Sequence, residues 1–374
     1  MARAEAVAFA PGRVNLIGEH TDYNGGLALP FAISAGVQVT ARAAVHPGEH
    51  VVWALDIAES DRFSAVTGAP APTGTLVPTA DPGPAPAGGW RAFTRGMVAE
   101  LAAAGITVPA AEIEITGTVP RGRGLSSSAA LEVALAYALC GLADTPLPDP
   151  IALARLCARV EHDWVGAQSG LLDQLASICG RPGTALLIDF RGPTLTPVPL
   201  TLDGYTLVAV DSGEDHRLAT SGYNDRREEC RQACRALGVA SLTEATLEQA
   251  ATLPEPLGRR ARHVIGENDR VRAAVAALSD RDLPRLGALL NASHASLRDD
   301  YEVSTPAVEA TVTALMHAGA VGARLVGGGF GGSVLALLEP SAPTPAGALV
   351  LEAGPGARRL DPDGERPAPA VLGR

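Results

Sequence analysis

Ile113 and Ile115 alternate with Glu112, Glu114 and Thr116, the two-residue period of a half-buried strand. Pro120, Gly122 and Gly124 then interrupt the pattern. From Ser126 to Cys140 the chain runs through Ala, Leu, Val and Glu with neither Gly nor Pro, which predicts a helix ended by Gly141. The unit is strand, glycine loop, helix N-terminus. Pro150 to Val165 predicts another helix, broken between Gly166 and Gly170 and followed by a short helix through Asp173. Leu186 to Phe190 and Thr206 to Val210 read as strands. The turn-rich bridge between them, Arg191 to Gly204, carries Pro193, Pro197 and Pro199. Helices are expected over Tyr223 to Leu237 and Arg259 to Leu278, and a strand over Ser333 to Leu338. Ala69 to Gly89 reads as a long surface loop. Pro340 to Arg374 reads as an irregular tail with one strand at Ala348 to Glu352. No internal repeat is present. A domain boundary is placed in the proline-rich bridge, giving residues 1–195 and 196–374.

Composition narrows the function classes. With 374 residues, 47% of them hydrophobic and 19% charged, the chain is long enough for two domains with ample core. A net charge of -11 argues against general nucleic-acid binding, which needs a basic face. No apolar run approaches the roughly 18 residues of a membrane span, and the apolar part of the N-terminus is too short for a signal peptide. A cytoplasmic protein, acting as a monomer and without a membrane partner, is expected. The cysteines, Cys140, Cys157, Cys179, Cys230 and Cys234, are odd in number and scattered, which fits reduced thiols. The chain contains no lysine: all 30 basic residues are Arg. That excludes a P-loop of the GxxxxGK[ST] type and a Schiff-base lysine. Phosphate chemistry here must rest on backbone N–H groups, helix N-termini, arginine and metal.

Four stretches carry candidate chemistry. Ala10 to Phe31, APGRVNLIGEHTDYNGGLALPF, sets Arg13, Asn15, Glu19, His20, Thr21, Asp22, Tyr23 and Asn24 among turn-forming glycines. It reads either as a charged turn between two strands or as a loop aiming several polar groups at a ligand with many hydroxyls. Gly122-Arg123-Gly124-Leu125-Ser126-Ser127-Ser128 opens a helix. It reads as a capped turn, or as an anion site made of backbone N–H groups, the helix dipole and serine hydroxyls. Glu161 and Asp173 lie on two helical segments whose intervening break lets both carboxylates converge. Glu161 also fits a solvated helix face. Asp173, flanked by Leu171, Leu172 and Leu175, needs a partner, and Arg13 is the obvious candidate. Gly327 to Gly332 satisfies GxGxxG, but a strand follows it instead of a helix, so a dinucleotide site is rejected.

The Ala10–Phe31 stretch closely resembles the signature of galactokinases, a branch of the GHMP small-molecule kinases. The resemblance continues through VPRGRGLSSSAALEVALA at Val119 to Ala136, GLLDQLAS at Gly170 to Ser177, SHASLRDDYEVSTP at Ser293 to Pro306 and GGGFGGS at Gly327 to Ser333. It runs in order over most of Ala10 to about Leu338, and GEHTDY points to the galactose branch. The resemblance implies a two-domain α+β fold with the ligand cleft between the domains. It also implies ATP-dependent phosphorylation of galactose at its anomeric hydroxyl. Asp173 would accept that hydroxyl's proton, and Arg13 would stabilise both Asp173 and the transferring phosphoryl group. Glu19, His20, Thr21, Asp22, Asp173 and Tyr223 would bind the sugar. ATP would meet Gly122 to Ser128 and, by a loose alignment, Trp53, for which core packing is the alternative. Mg²⁺ would be held by Ser128 and Glu161, whose hard oxygens suit a metal kept mostly hydrated. Two departures stand out: Arg123 replaces a usually small residue, and Val326 replaces a usual Thr. The alternatives are a GHMP kinase for another sugar, such as N-acetylgalactosamine or arabinose, and a non-catalytic sugar and ATP sensor. Retention of Arg13, Glu161 and Asp173 argues against the sensor.

Overall fold

The structure, a computed structural model, describes residues 4–45, 48–65, 89–120, 122–214 and 219–361. The chain opens with β1 (Glu5–Asn15), the short β2 (Leu27–Ala28) and the long β3 (Pro30–Ala43). Strands β4 (Glu49–Ala54) and β5 (Glu59–Ser64) form an antiparallel pair. Helix α1 (Trp90–Ala103) and strand β6 (Ala111–Gly117) follow. Next come α2 (Ser127–Leu142), α3 (Pro150–Arg159), a π-helical turn at Val160–Val165, and α4 (Leu172–Cys179). Three strands, β7 (Thr184–Asp189), β8 (Thr194–Pro199) and β9 (Thr206–Asp211), precede the helices α5 (Ala219–Leu237), α6 (Leu247–Ala250), α7 (Leu257–Ser279), α8 (Leu283–Asp299) and α9 (Pro306–His317). Strands β10 (Ala320–Leu325), β11 (Ser333–Leu338), β12 (Leu349–Val350) and β13 (Arg358–Leu360) complete the described chain.

These strands form three sheets. The largest has the order β13-β1-β3-β6-β4-β5, antiparallel except where β4 lies parallel to β6. The other two run β10-β11-β9-β12 and β2-β7-β8. Helix α2 is apolar on every side, and Ala129, Val133, Leu135, Leu139 and Cys140 are fully buried. A helix without a polar face must be covered all round. It packs on β1 and β3, with α1, α3 and α4 covering the rest.

Several elements depart from the sequence pattern. Gly141 does not end α2 but lies inside it, where a Cβ would come within 2.9 Å of the Ala6 side chain; its bareness lets α2 approach β1. The proline-rich bridge holds the whole of β8, because Pro197 and Pro199 sit on an edge strand where no outer ladder bond is lost. The expected boundary between residues 195 and 196 therefore falls inside a strand. The end of the described chain also returns to the first sheet as β13, pairing Val7 with Leu360 and Phe9 with Arg358. The tail strand expected at 348–352 is the two-residue β12. The surface loop expected at 69–89 lies outside the described residues except for Gly89, and so does the tail beyond residue 361.

Helix α7 fixes the loop between β1 and β2. Glu267, fully buried, accepts hydrogen bonds from the Gly18 N–H at 3.0 Å and the Ser293 hydroxyl at 2.6 Å. Asn268 accepts from the Leu27 N–H at 2.7 Å, and His263 Nε2 lies 3.1 Å from the Glu19 carbonyl oxygen. Among the described residues no helix is long and apolar enough to cross a membrane.

Candidate active site

A cavity of about 290 Å³ lies where the β1–β2 loop, the turn before α2, the segment before α4, the start of α5 and the glycine loop after β10 meet. Arg13 enters it from β1, just past an irregularity in the β1–β3 register between Pro11 and Arg13. Its Nε donates to Asp173 Oδ1 at 2.7 Å, its Nη2 lies 2.6 Å from the same oxygen, and its Nη1 donates to the Gly124 carbonyl at 2.6 Å. One guanidinium thus joins the phosphate-loop candidate to the Asp173 carboxylate. Burial acts to lower the Arg13 pKa, but the charges of Asp173, Glu19 and Asp22 raise it overall.

The residue at the N-cap of α2 is Ser126, in a left-handed conformation with φ of 59°. An N-cap serine usually accepts a hydrogen bond from the helix's first turn. Here no such bond forms; the Ser126 hydroxyl donates instead to Asp173 Oδ2. The first N–H groups of α2 are left without a side-chain cap, facing a cavity lined by Gly122 to Ser128. That is an arrangement suited to phosphate oxygens. Arg123, on the cavity rim, is ion-paired with Asp211 at the end of β9.

The opposite wall carries the GEHTDY residues. Glu19 Oε1 accepts from the Gly327 N–H at 2.9 Å and lies 3.4 Å from Nη2 of the fully buried Arg324. Arg324 also donates to the Asn15 carbonyl at 3.0 Å. The loop after β10 is thereby tied to the loop after β1, and Gly327 and Gly328 line the cavity. His20, Asp22 and Tyr223 line it too. Asp22 sits against Gly170, where a Cβ would fall 1.9 Å from its Oδ2, so only glycine fits. Burial first, and then the neighbouring Asp173 charge, push the Asp22 pKa from its ordinary value of 3.8 up to about 7.

This shift gives a testable pH dependence. Between the unfolded and folded values the native protein binds the extra proton, so its stability falls as pH rises from about 4 to about 7. Melting temperatures from about pH 5 to about pH 8 should fall more for the parent than for Asp22→Asn, which carries no proton linkage at this site. Parallel curves would exclude the shifted Asp22.

Three of the expected site residues do not line the cavity. Thr21 is fully buried, its hydroxyl 2.8 Å from the Gly18 carbonyl and 2.7 Å from that of Leu27, so it closes the loop. Trp53 lies on β4, paired with Glu114 and Ser60. Glu161 is buried in the π-helical turn, hydrogen-bonded to Ser169 and Ser128, which do line the cavity. Beside it lies a group the sequence pattern did not single out. Gln174 donates to Glu132 at 3.1 Å and to Glu161 at 3.2 Å, and among the described residues the buried Glu132 Oε1 has no partner. Burial and the mutual repulsion of the two carboxylates push the Glu132 pKa well above its ordinary value; burial also raises that of Glu161. A lone carboxylate in the otherwise apolar α2 run was the available signal for Glu132.

Comparison with known proteins identifies the family and the fold. A family model described as the galactokinase galactose-binding signature matches residues 2–43, the GHMP kinases N terminal domain matches 92–181, and the GHMP kinases C terminal matches 274–348. A galactokinase of Roseiflexus sp. is 43% identical over 342 residues, covering 89% of this chain and 83% of that protein. A galactokinase of Mycobacterium tuberculosis is 42% identical over 335 residues, 88% of each chain. The crystal structure of Lactococcus lactis galactokinase complexed with galactose superposes with a TM-score of 0.83 at 30% identity, covering 96% of both chains. A Methanococcus jannaschii mevalonate kinase shares the fold, with a TM-score of 0.64 at 17% identity over 90% of this chain and 91% of that one. The chain belongs to the galactokinase family and has the two-domain α+β fold of the GHMP kinases.

Proposed function

We propose that this chain transfers the terminal phosphoryl group of ATP to the anomeric hydroxyl of galactose, giving galactose 1-phosphate and ADP. The observation that carries the reading is the position of Asp173, with Arg13 on one carboxylate oxygen and Ser126 on the other. It stands where the uncapped N-terminus of α2 meets the wall bearing Glu19, His20, Asp22 and Tyr223. Phosphoryl transfer depends on alignment and charge stabilisation more than on covalent chemistry. In this reading Asp173 takes the proton of the attacking hydroxyl, and Arg13 stabilises charge on the phosphoryl group. The α2 amides receive the phosphates, and the opposite wall orients the sugar. In this reading the protein acts as a monomer, and its soluble substrates suit the cytoplasm. The test is incubation of the protein with ATP and a panel of sugars, followed by ³¹P NMR. Galactose 1-phosphate is the expected product; phosphorylation of another sugar alone would reassign the substrate.

The residues near Glu161 also suit Mg²⁺. Ser128 and Glu161 offer hard oxygen donors, and the buried Glu132–Glu161 pair is surrounded by Gln174, Ser128 and Ser169, none of them cationic. Among the described residues no cluster of three or more His, Cys, Asp or Glu side chains is arranged to hold a metal, so an ion here would draw most ligands from phosphate and water. When bound, Mg²⁺ would neutralise charge on the phosphates. Activity should vanish on adding EDTA and return with Mg²⁺. Glu161→Gln should raise the Mg²⁺ concentration needed for half-maximal rate by about tenfold. Unaltered Mg²⁺ dependence in that variant would remove Glu161 from the assignment.

A further inference from the structure

The two ring nitrogens of His20 have different surroundings. Among the described residues Nε2 is buried without a hydrogen-bond partner, and His20 lines the cavity. Nδ1 lies 2.8 Å from Tyr23 Oη. Behind that contact, Tyr23 Oη is 2.9 Å from Tyr301 Oη, and Tyr301 Oη is 3.1 Å from Cys230 Sγ. Asn24 closes the circuit, its Nδ2 donating to Cys230 Sγ at 3.6 Å and to the carbonyl of His20 itself at 2.8 Å. Tyr301 and Cys230 are buried, 0% and 1% exposed. The His20 ring is packed between Tyr301 and Tyr223, with centroids 4.6 and 5.3 Å away.

We propose that Tyr301 and Cys230 are positioning residues which, acting through Tyr23, hold His20 in the tautomer with its hydrogen on Nε2. His20 then presents an N–H donor to a sugar oxygen, a role that rests on the sugar-binding reading above. Two proton arrangements are conceivable around the circuit. In one, Cys230 accepts from Asn24 and donates S–H to Tyr301, Tyr301 donates to Tyr23, and Tyr23 donates to Nδ1. Each donor inside the circuit then has an acceptor, and the Nε2–H is left for a ligand in the cavity that His20 lines. In the reverse arrangement Nδ1–H donates to Tyr23 and the hydroxyls run toward sulfur. Cys230 then accepts from both Asn24 and Tyr301 and gains no acceptor within the circuit for its own S–H. Burial keeps the ring neutral, its pKa well below the ordinary value, so a single tautomer is at stake. Neither Tyr301 nor Cys230 lines the cavity.

The experiment is a long-range ¹⁵N–¹H correlation spectrum of the ¹⁵N-histidine-labelled full chain, recorded without sugar. It therefore decides the relay whether or not galactose is the substrate. The parent should show a pyrrole-type Nε2 and a pyridine-type Nδ1 for His20, assigned by its absence in His20→Gln. Tyr301→Phe should give a mixture of tautomers and raise KM for galactose roughly three- to tenfold, as expected for one weakened hydrogen bond, with kcat and KM for ATP nearly unchanged. Cys230→Ala should shift the tautomer in the same direction, and it is read alone if Tyr301→Phe does not fold. An Nδ1–H tautomer in the parent overturns the proposal. So does an unchanged tautomer in the folded variants, even if KM rises, because that outcome marks a merely structural role.

Discussion

Asp173→Asn is expected to lower turnover on galactose by at least about 10²-fold while leaving sugar and ATP affinity little changed. Both oxygens of the parent carboxylate are occupied, Oδ1 by Arg13 and Oδ2 by Ser126. Asparagine keeps the shape. Its carbonyl oxygen can still accept from Arg13, and its amide can face Ser126 if that hydroxyl turns to become the acceptor. The site should therefore stay assembled, with Arg13 still joined to the Gly124 carbonyl. What disappears is a group able to receive the proton of the attacking hydroxyl. Single-turnover kinetics with saturating ATP, set beside calorimetric binding of galactose, separates the two quantities. Near-normal turnover would mean that proton acceptance is not the task of Asp173. A parallel loss of binding would mean that the substitution had disturbed the sugar wall instead.

The largest effect is expected in discrimination between galactose and its C4 epimer, glucose. The polar wall offers more groups than one anomeric hydroxyl needs. Glu19 is already engaged by the Gly327 N–H and Arg324, whereas His20 Nε2 has no partner among the described residues and Asp22 faces the cavity beside Tyr223. If these groups meet the axial C4 hydroxyl, glucose leaves them buried and unpaired, at a cost of ~1–3 kcal/mol each and more for a charged one. A site built to bond one hydroxyl can reject its analogue by roughly 10⁴-fold in kcat/KM. Steady-state kinetics on galactose, glucose and 2-deoxygalactose with saturating ATP measures this directly. Asp22→Ala should lower kcat/KM for galactose far more than it alters KM for ATP. Comparable efficiency on glucose and galactose would show that the wall does not read C4.

The legible parts of the fold were those whose signal is local. The strand at Ser333 to Leu338 matches its apolar run, and the strand–glycine loop–helix unit around Gly122 stands where its periodicity puts it. Less legible were elements whose state depends on distant neighbours. The prolines of β8 read as a break because sequence does not say that this strand lies at a sheet edge. Helix α2 runs past Gly141 because β1 packs there. Arg358 to Leu360 form a strand only because β1 offers an open edge.

The candidate site divides along the same line. Residue chemistry alone indicated that Asp173, set among leucines, needed a cation, and that a chain without lysine must meet phosphate through arginine, amides and metal. Arg13, 160 positions away, supplies that cation in the structure. Sequence also marked GEHTDY and the serines at the start of α2, because polar groups dense among glycines carry a local signal. Which member of each group faces the cavity was a tertiary matter. Thr21 turns inward to close its loop, Trp53 stays on β4, and Glu161 stands behind Ser128 and Ser169. The supporting groups, Glu132, Gln174, Arg324, Tyr301 and Cys230, come from α2, α4, β10, the α8–α9 connection and α5. Their partners are long-range, and a buried polar side chain is defined by what it meets, which no window along the chain contains.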